Sequence, residues 1–333
     1  MTSKHIRTVK FNALGGADVL QIEAEEQPTP RAGELRLKVG ALGLNRAEVL
    51  FRQGLYLEEP KLPSRLGYEA SGIVDAIGDG VTGFEIGDKV STVPAFSMGE
   101  YGVYSDSIVV PAMAVAHYPV QLSPSEGAAL WMQYITAYGA LVDIASLGKG
   151  QTVLITAASS SVGIAAIQIA KYLGATVIAT TRSPEKSRVL TCVGADFVIE
   201  TNNQDLVESV TGAVGDDGVE LVFDAIGGPI VAELAAVVSQ GGRIIEYGVL
   251  DERPTPFPLF AALAKGIIIQ GYTLFEITKD SKRLEAAKSF IYNMLSNSGV
   301  RPLLDKQFDF DEIQVAHEYM ESNQQVGKIT VTI

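Results

Sequence analysis

The residues best placed to do chemistry lie in Thr152-Val-Leu-Ile-Thr-Ala-Ala-Ser-Ser-Ser-Val-Gly163 and the apolar stretch that follows. The run reads as a buried strand, Val153 to Thr156, then a turn of very small residues, then a helix from about Val162 to Leu173. A second strand, Thr176 to Thr180, follows almost at once. Strand, tight turn, helix and parallel strand within about thirty residues form a dinucleotide-binding unit, with a pyrophosphate over the first N–H groups of the helix. The usual Gly-x-Gly-x-x-Gly is degraded, because Ala158 and Ser160 hold its first two glycine places and only Gly163 survives. Ser159, Ser160, Ser161 and Val162 still offer backbone N–H groups, and the serine hydroxyls can donate as well. Each Cβ limits how near a pyrophosphate can come. Capping the helix is the other use open to at least one serine.

The second strand ends in Thr180-Thr181-Arg182-Ser183-Pro184-Glu185-Lys186. A cofactor with a free adenosine 2′-hydroxyl usually meets a carboxylate at that place, which would repel a 2′-phosphate. Here small hydroxyl residues stand there, with Arg182 and Lys186 close behind. Two cations beside Thr181 suit a phosphate through charge-assisted hydrogen bonds, so NADPH is expected rather than NADH. The competing use of Arg182 and Lys186 is to solvate the start of a surface helix. Asp224 closes a later strand before Ile226-Gly227-Gly228, where it either faces the cofactor or caps the turn.

The elements that must position these residues fall into two textures. From Lys4 to about Val110, short strand-like runs such as Leu35–Val39 and Ser71–Ile77 alternate with glycine and proline, which predicts a coiled antiparallel barrel-like domain. Ser123 and Glu126 have the spacing of a capping box where the texture changes. From about residue 129 to 275 strands and helices alternate. Six strands are predicted at 152–156, 176–180, 197–199, 221–223, 243–247 and 267–270, with helices such as Pro184–Val193 and Ile230–Ser239 between them. Right-handed crossovers turn that series into a doubly wound parallel sheet, an α/β fold. A helix near 282–296 and the ending Gly327–Ile333 return to the first texture, so the first domain is expected to be discontinuous. The expected division is 1–127 with 278–333, and 128–277.

Composition bounds the rest. The 333 residues are 47% hydrophobic and 20% charged, ordinary for a compact two-domain protein. A net charge of −13 argues against nucleic acid or anionic lipid as the main partner. No apolar run reaches membrane-spanning length and the start lacks a secretory core, so a cytoplasmic protein is expected. One cysteine, Cys192, excludes an internal disulfide and a multi-cysteine zinc site; it is expected to be buried and inert. His5, His117 and His317 sit in no site-like context.

Leu66-Gly-Tyr-Glu-Ala-Ser-Gly72, Gly87-Asp-Lys-Val90, Ala128-Ala-Leu130, Thr136-Ala-Tyr-Gly-Ala-Leu141, Ala157–Gly163 and Gly327-Lys328 lie in order along nearly the whole chain. Together they resemble the medium-chain dehydrogenase/reductase superfamily, and most the zinc-free quinone oxidoreductase and enoyl reductase branch. The resemblance implies a GroES-like first domain and a Rossmann second domain. The alcohol dehydrogenases of the superfamily bind catalytic zinc through cysteine and histidine at places that here hold Asn45, Tyr68 and approximately Met132. Thiolate and imidazole are what such a tetrahedral site requires, so no metal is expected.

The resemblance also places Asn45 near the nicotinamide and Tyr56 facing the substrate. A phenol of ordinary pKa about 10 stays protonated at neutral pH and can donate to an enolate; the other use of Tyr56 is as an amphipathic lid. Thr136, Tyr247, Gly248 and Thr273 match places that touch the nicotinamide end of the cofactor, and Lys328 a basic residue near the pyrophosphate. Trp131, Met132 and Tyr134 are assigned either to the acceptor side or to core packing. The expected activity is transfer of hydride from NADPH to a quinone or an α,β-unsaturated carbonyl. The alternatives are an NADPH-binding protein without catalysis and, further off, an alcohol dehydrogenase. The apolar last strand of the sheet, Gly266–Leu274, predicts a homodimer, since an open apolar edge would otherwise aggregate.

Overall fold

Strand β1 (His5–Phe11) pairs antiparallel with β2 (Leu20–Glu26) in the computed structural model, which describes residues 5–333. Five more strands follow: β3 (Glu34–Gly43), β4 (Glu69–Ile77), β5 (Lys89–Thr92), β6 (Ser107–Pro111) and β7 (Val115–His117). The alternation read from Leu35 to Val39 is the cause of β3's placement. Leu35, Leu37 and Val39 are buried while Lys38 is exposed, as a period of two requires.

The second group of strands is β8 (Thr152–Ile155), β9 (Thr176–Thr181), β10 (Phe197–Glu200), β11 (Val219–Asp224), β12 (Val238–Glu246) and β13 (Ile268–Gly271). They form one sheet in the order β10-β9-β8-β11-β12-β13, every pair parallel. One face packs Leu154, Ile178, Val222 and Ile244 against Leu206, Val210, Leu234 and Ala235. The helix Ser161–Tyr172 buries Ile164, Ile167 and Ile169. Strand order reverses at β8, so the crevice at the carboxyl ends of β8 and β11 is the topological switch point where such sheets bind ligands.

The chain closes with β14 (Leu304–Asp309) and β15 (Lys328–Thr332). Strand β15 pairs antiparallel with β3, Thr330 opposite Gly43, which returns the C-terminus to the first sheet. That sheet runs β14-β15-β3-β4-β5-β7, with β6 also on β3.

The chain divides into two units, Met1–Met132 with Arg301–Ile333, and Gln133–Val300. The boundaries differ from those expected at 127/128 and 277/278. The helix Ser281–Ser298 belongs to the second unit, tied there by Arg283 to Asp143 at 2.5 Å and by Phe290 packing 5.2 Å from the Tyr138 ring. Leu284, Ala287, Ile291, Met294 and Leu295 recur at helical spacing, which marks a buried face but not the unit it packs on. The helix expected over Ile230–Ser239 is Val231–Val237, and β12 opens at Val238 opposite Val219. A register shift between Val219 and Leu221, opposite the Gly241-Gly242 pair, absorbs the early start. Cys192 is exposed, not buried. On its helix Leu190 takes the buried face, and a residue two places on points away from it.

Candidate active site

In the first unit, β3 ends at Gly43 and the chain turns through Leu44 and Asn45 into the helix Arg46–Arg52. The Asn45 backbone N–H donates to Glu48 Oε2 at 2.6 Å, which fastens the first helical turn. Glu69 opens β4 beside it, and Lys328 opens β15. Gly43 makes this convergence possible: a Cβ there would lie 2.0 Å from the Ala128 carbonyl and 2.9 Å from Lys328 Cε.

The result is a buried polar centre. The Lys328 ammonium donates to Asn45 Oδ1 at 2.6 Å and to Glu69 Oε2. Asn45 Nδ2 is shared among Gly43 O, Glu48 Oε1 and Glu69 Oε2, each at 3.2 Å. Glu69 Oε1 accepts the Met132 N–H at 2.9 Å. Glu48 accepts four donors, adding Tyr104 O–H at 2.6 Å and Tyr68 N–H at 3.1 Å. Burial pushes the Glu48 carboxyl above its ordinary range, and its donors, Tyr104 first, act against that rise.

Lys328, which matches a basic residue near a pyrophosphate, is 1% exposed, and its ammonium donates to Asn45 and Glu69. Asn45, which the resemblance places near the nicotinamide, has its amide bonded to protein groups at both ends. Glu48 and Tyr104 were missed, although Glu48 stands at the capping-box distance from Asn45 and was legible on that ground.

Tyr56 follows the helix in the loop after Gly54. Its ring meets Tyr68 edge-on at 6.4 Å, and Tyr68 in turn lies 5.7 Å from Phe96. Thr92 Oγ1 holds the strand under Tyr68, accepting the Ala70 N–H and donating to the Tyr68 carbonyl, both at 2.8 Å. Burial raises both phenols, Tyr56 to about 12 and Tyr68 further. Both phenols therefore stay protonated at physiological pH. Among the described residues no group of three or more His, Cys, Asp and Glu could hold a metal ion. Trp131 is buried, its indole N–H on Ser91 Oγ at 2.9 Å, which is a packing role. Tyr134 is buried too and donates to Gln168 at 2.5 Å.

His317 is wholly buried with neither ring nitrogen hydrogen-bonded, and burial holds its pKa down to about 3, so the ring is neutral. His5 and His117 are exposed, His117 pairing with Asp88 at 3.0 Å.

In the second unit the small-residue turn does what a glycine turn would. Ala157 takes φ +44°, and a Cβ on Gly163 would lie 2.5 Å from the Ala158 carbonyl. Ser160 caps the helix, its hydroxyl accepting the Gly163 N–H at 3.1 Å. The N–H groups of Ser161 and Val162 have no acceptor in the hydrogen bonds of the described residues, so they are open to an anion. Ser159 lies beside them, half-buried. At the end of β9, Thr181 is buried and its hydroxyl accepts the Ser183 N–H at 3.3 Å. Arg182 is exposed, with no ion pair among the described residues, and Lys186 is half-buried. These residues fit a dinucleotide with a 2′-phosphate.

Further along the carboxyl edge, Asp224 is fully buried and engaged locally: Thr156 donates to it, with Ile226 N–H at 3.1 Å and Gly227 N–H at 2.7 Å. It caps its turn. Glu246, its partner across the parallel pair, was missed in the sequence. Its buried oxygens receive no donor, and burial first and the Asp224 charge second push its pKa up to about 9. Tyr247 stacks on Phe223 with centroids 4.0 Å apart. Gly248 passes so close to Ala225 that a Cβ would lie 2.6 Å from its carbonyl. Thr273 and Thr136 are half-buried and buried, and Glu276 N–H donates to Thr273 O at 3.0 Å.

Residues 31–120 match the alcohol dehydrogenase GroES-like domain, and residues 161–291 match the zinc-binding dehydrogenase family. The chain belongs to the medium-chain dehydrogenase/reductase superfamily. Within the superfamily, quinone oxidoreductase of Homo sapiens is 28% identical over 319 residues, spanning 95% of this chain and 94% of that protein. The Escherichia coli quinone oxidoreductase solved in complex with NADPH superposes with a TM-score of 0.89 at 27% identity, covering 98% of this chain and all of that one (100%). An NAD-dependent alcohol dehydrogenase superposes with a TM-score of 0.91 at 29% identity, covering 98% and 99%. No helix among the described residues is long and apolar enough to cross a membrane.

Two predictions test this geometry. Lys328→Met leaves Glu69 buried without its cation and is expected to cost about 3–5 kcal/mol in urea unfolding, with partial recovery in Lys328→Met/Glu69→Gln; a loss under about 1 kcal/mol would contradict the buried pair. Glu246 holds a proton in the folded state between its ordinary pKa and about 9, which the unfolded chain has released. Its contribution is therefore whole at low pH and is lost as pH rises through that window. Glu246→Gln is expected to match the parent's melting temperature near pH 5 and to exceed it by about a few degrees near pH 9. Equal melting curves at both pH values would refute the assignment.

Proposed function

We propose that this protein is an NADPH-dependent reductase that delivers hydride to a quinone or an α,β-unsaturated carbonyl compound without a metal ion. The observation that carries the reading is the Lys328 ammonium lying on Glu69 and on Asn45, which stands at a place where the resemblance puts a zinc ligand in the alcohol dehydrogenases. An ammonium donates hydrogen bonds but has no coordination position to offer an alcohol oxygen. Oxidising a simple alcohol would lack its Lewis acid, whereas an electron-poor acceptor needs none. NADPH is supported by the open N–H groups of Ser161 and Val162, by Thr181 and Arg182 at the end of β9, and by the relative solved with that cofactor.

Bound NADPH supplies the hydride. Tyr56 donates its phenolic proton to the enolate or the hydroquinone oxygen that forms, and recovers it from water. Its raised pKa keeps the proton in place until negative charge develops on the acceptor. The Glu48–Asn45–Lys328–Glu69 network holds the backbone from which the Tyr56 loop departs.

The second unit is proposed to pair with a second copy through β13. Ile268 on that edge strand is 46% exposed, and Phe257, Phe260 and Leu263, which precede it in the chain, are 65%, 86% and 74% exposed. An apolar strand edge in that state is a template for pairing.

NADPH oxidation followed with quinones, alkenals and enoyl thioesters is expected to show turnover with at least one class. Tyr56→Phe is expected to lower enone turnover about 10²-fold with unchanged NADPH affinity, and the parent rate to stay flat up to about pH 10. No affinity for NADPH by calorimetry, or stoichiometric zinc by elemental analysis, would sink the reading. Light scattering at micromolar concentration is expected to give twice the chain mass; a monomer would exclude the β13 pairing.

A further inference from the structure

The loop that carries Tyr56 is fastened at both ends by backbone hydrogen bonds. At its start Gly54 N–H reaches Phe51 O at 3.0 Å and Leu55 N–H reaches Leu50 O at 2.8 Å. At its end Ser64 and Phe11 exchange bonds of 3.0 Å in both directions. From Tyr56 to Pro63 no backbone–backbone hydrogen bond is present among the described residues. Leu55 and Leu57, 65% and 73% exposed, point outward on either side of Tyr56, so their own burial does not hold the tyrosine inward.

One side chain closes this gap. Glu58 Oε1 accepts the Ser97 hydroxyl at 2.5 Å and the Gly99 N–H at 3.3 Å, and Oε2 accepts the Met98 N–H at 3.2 Å. The segment it grips also carries Phe96, whose ring packs on Tyr68, the residue that Tyr56 meets edge-on. Gly99 makes room for the carboxylate: a Cβ there would lie 3.0 Å from Glu58 Oε1. Loop, carboxylate and aromatic packing thus form a closed circuit around the two phenols. The Glu58 charge also adds to the rise of both phenol pKa values, so the clamp favours their protonated state.

We propose that Glu58 is a positioning residue, whose carboxylate clamps the Tyr56 loop onto residues 97–99 and so aims the Tyr56 phenol at the acceptor. The kinetic half of this proposal rests on the reductase reading above; the clamp itself does not.

The test uses the full chain with Glu58→Ala, Glu58→Gln, Tyr56→Phe and Glu58→Ala/Tyr56→Phe. Hydrogen exchange is expected to quicken in Glu58→Ala at the Met98 and Gly99 amides, which lose their acceptor, and at the Leu55 amide where the loop begins, with the rest of the first unit unchanged. Enone turnover is expected to fall roughly ten- to a hundredfold in Glu58→Ala, as displacement of a reacting group does, while the Kd for NADPH stays the same. Glu58→Gln, which keeps an acceptor oxygen, recovers part of the loss. In the Tyr56→Phe background Glu58→Ala costs nothing further, because the clamp acts through that phenol. Unchanged exchange at the Met98 and Gly99 amides overturns the clamp, and an additive loss in the double variant overturns its action through Tyr56. A parent protein without reductase turnover would refute the functional reading instead, and exchange would still decide the clamp.

Discussion

The ammonium of Lys328 is the constraint on which the first unit depends. It reaches Asn45 and Glu69 across sequence separations of 283 and 259 residues, and it is wholly buried. A charge taken out of water is tolerated only when its partners satisfy it, and removing one partner leaves the other stranded. The last strand must therefore lie beside β3 with Lys328 at the level of Gly43, and β3 must end in a glycine for the lysine stem to pass. The same cation fixes the orientation of the Asn45 amide, since its oxygen faces Lys328 and its nitrogen must face the carboxylates. Helix, strand opening and C-terminal strand are registered by one ion.

The same cation bears on the proposed chemistry. A metal ion keeps open positions and accepts a substrate oxygen; a lysine ammonium has donors only, and here two of them go to Asn45 and Glu69. In the proposed reaction the group that meets developing negative charge is the neutral phenol of Tyr56. Half-buried Tyr56 and buried Tyr68, packed edge-on and held above their ordinary pKa by burial, keep their protons at neutral pH. In the second unit the same logic of burial appears at the carboxyl edge of the sheet. Asp224 draws three donors, while burial and then the Asp224 charge raise the carboxyl of its neighbour Glu246, which therefore carries a proton.

The strand–turn–helix at residues 152–172 and the six parallel strands were legible because a local pattern caused them: apolar runs of strand length, small residues at a turn, a helix with one buried side. The degraded turn was readable for the same reason. Gly163 stands where the helix meets Ala158, and steric exclusion there is a local requirement. The discontinuity of the first unit followed from a change of texture at the end of the chain. The buried cluster of Asn45, Glu48, Glu69 and Lys328 was legible only in pieces, as family matches at Asn45, Glu69 and Lys328 and a capping spacing from Asn45 to Glu48.

What the sequence by itself determined, then, is the class of fold and the small-residue turn at the edge of the sheet, because periodicity and turn chemistry act between residues a few places apart. What tertiary structure alone decided is the partner of each buried charge: Lys328 with Asn45 and Glu69, Glu246 beside Asp224, Glu58 across to Ser97, Met98 and Gly99. The boundary between units was of that kind as well, since Arg283 and Phe290 attach their helix to residues some 140 and 150 positions earlier. Desolvation makes such pairings obligatory, but it acts on groups brought together by the fold, and no spacing along the chain records which groups those will be.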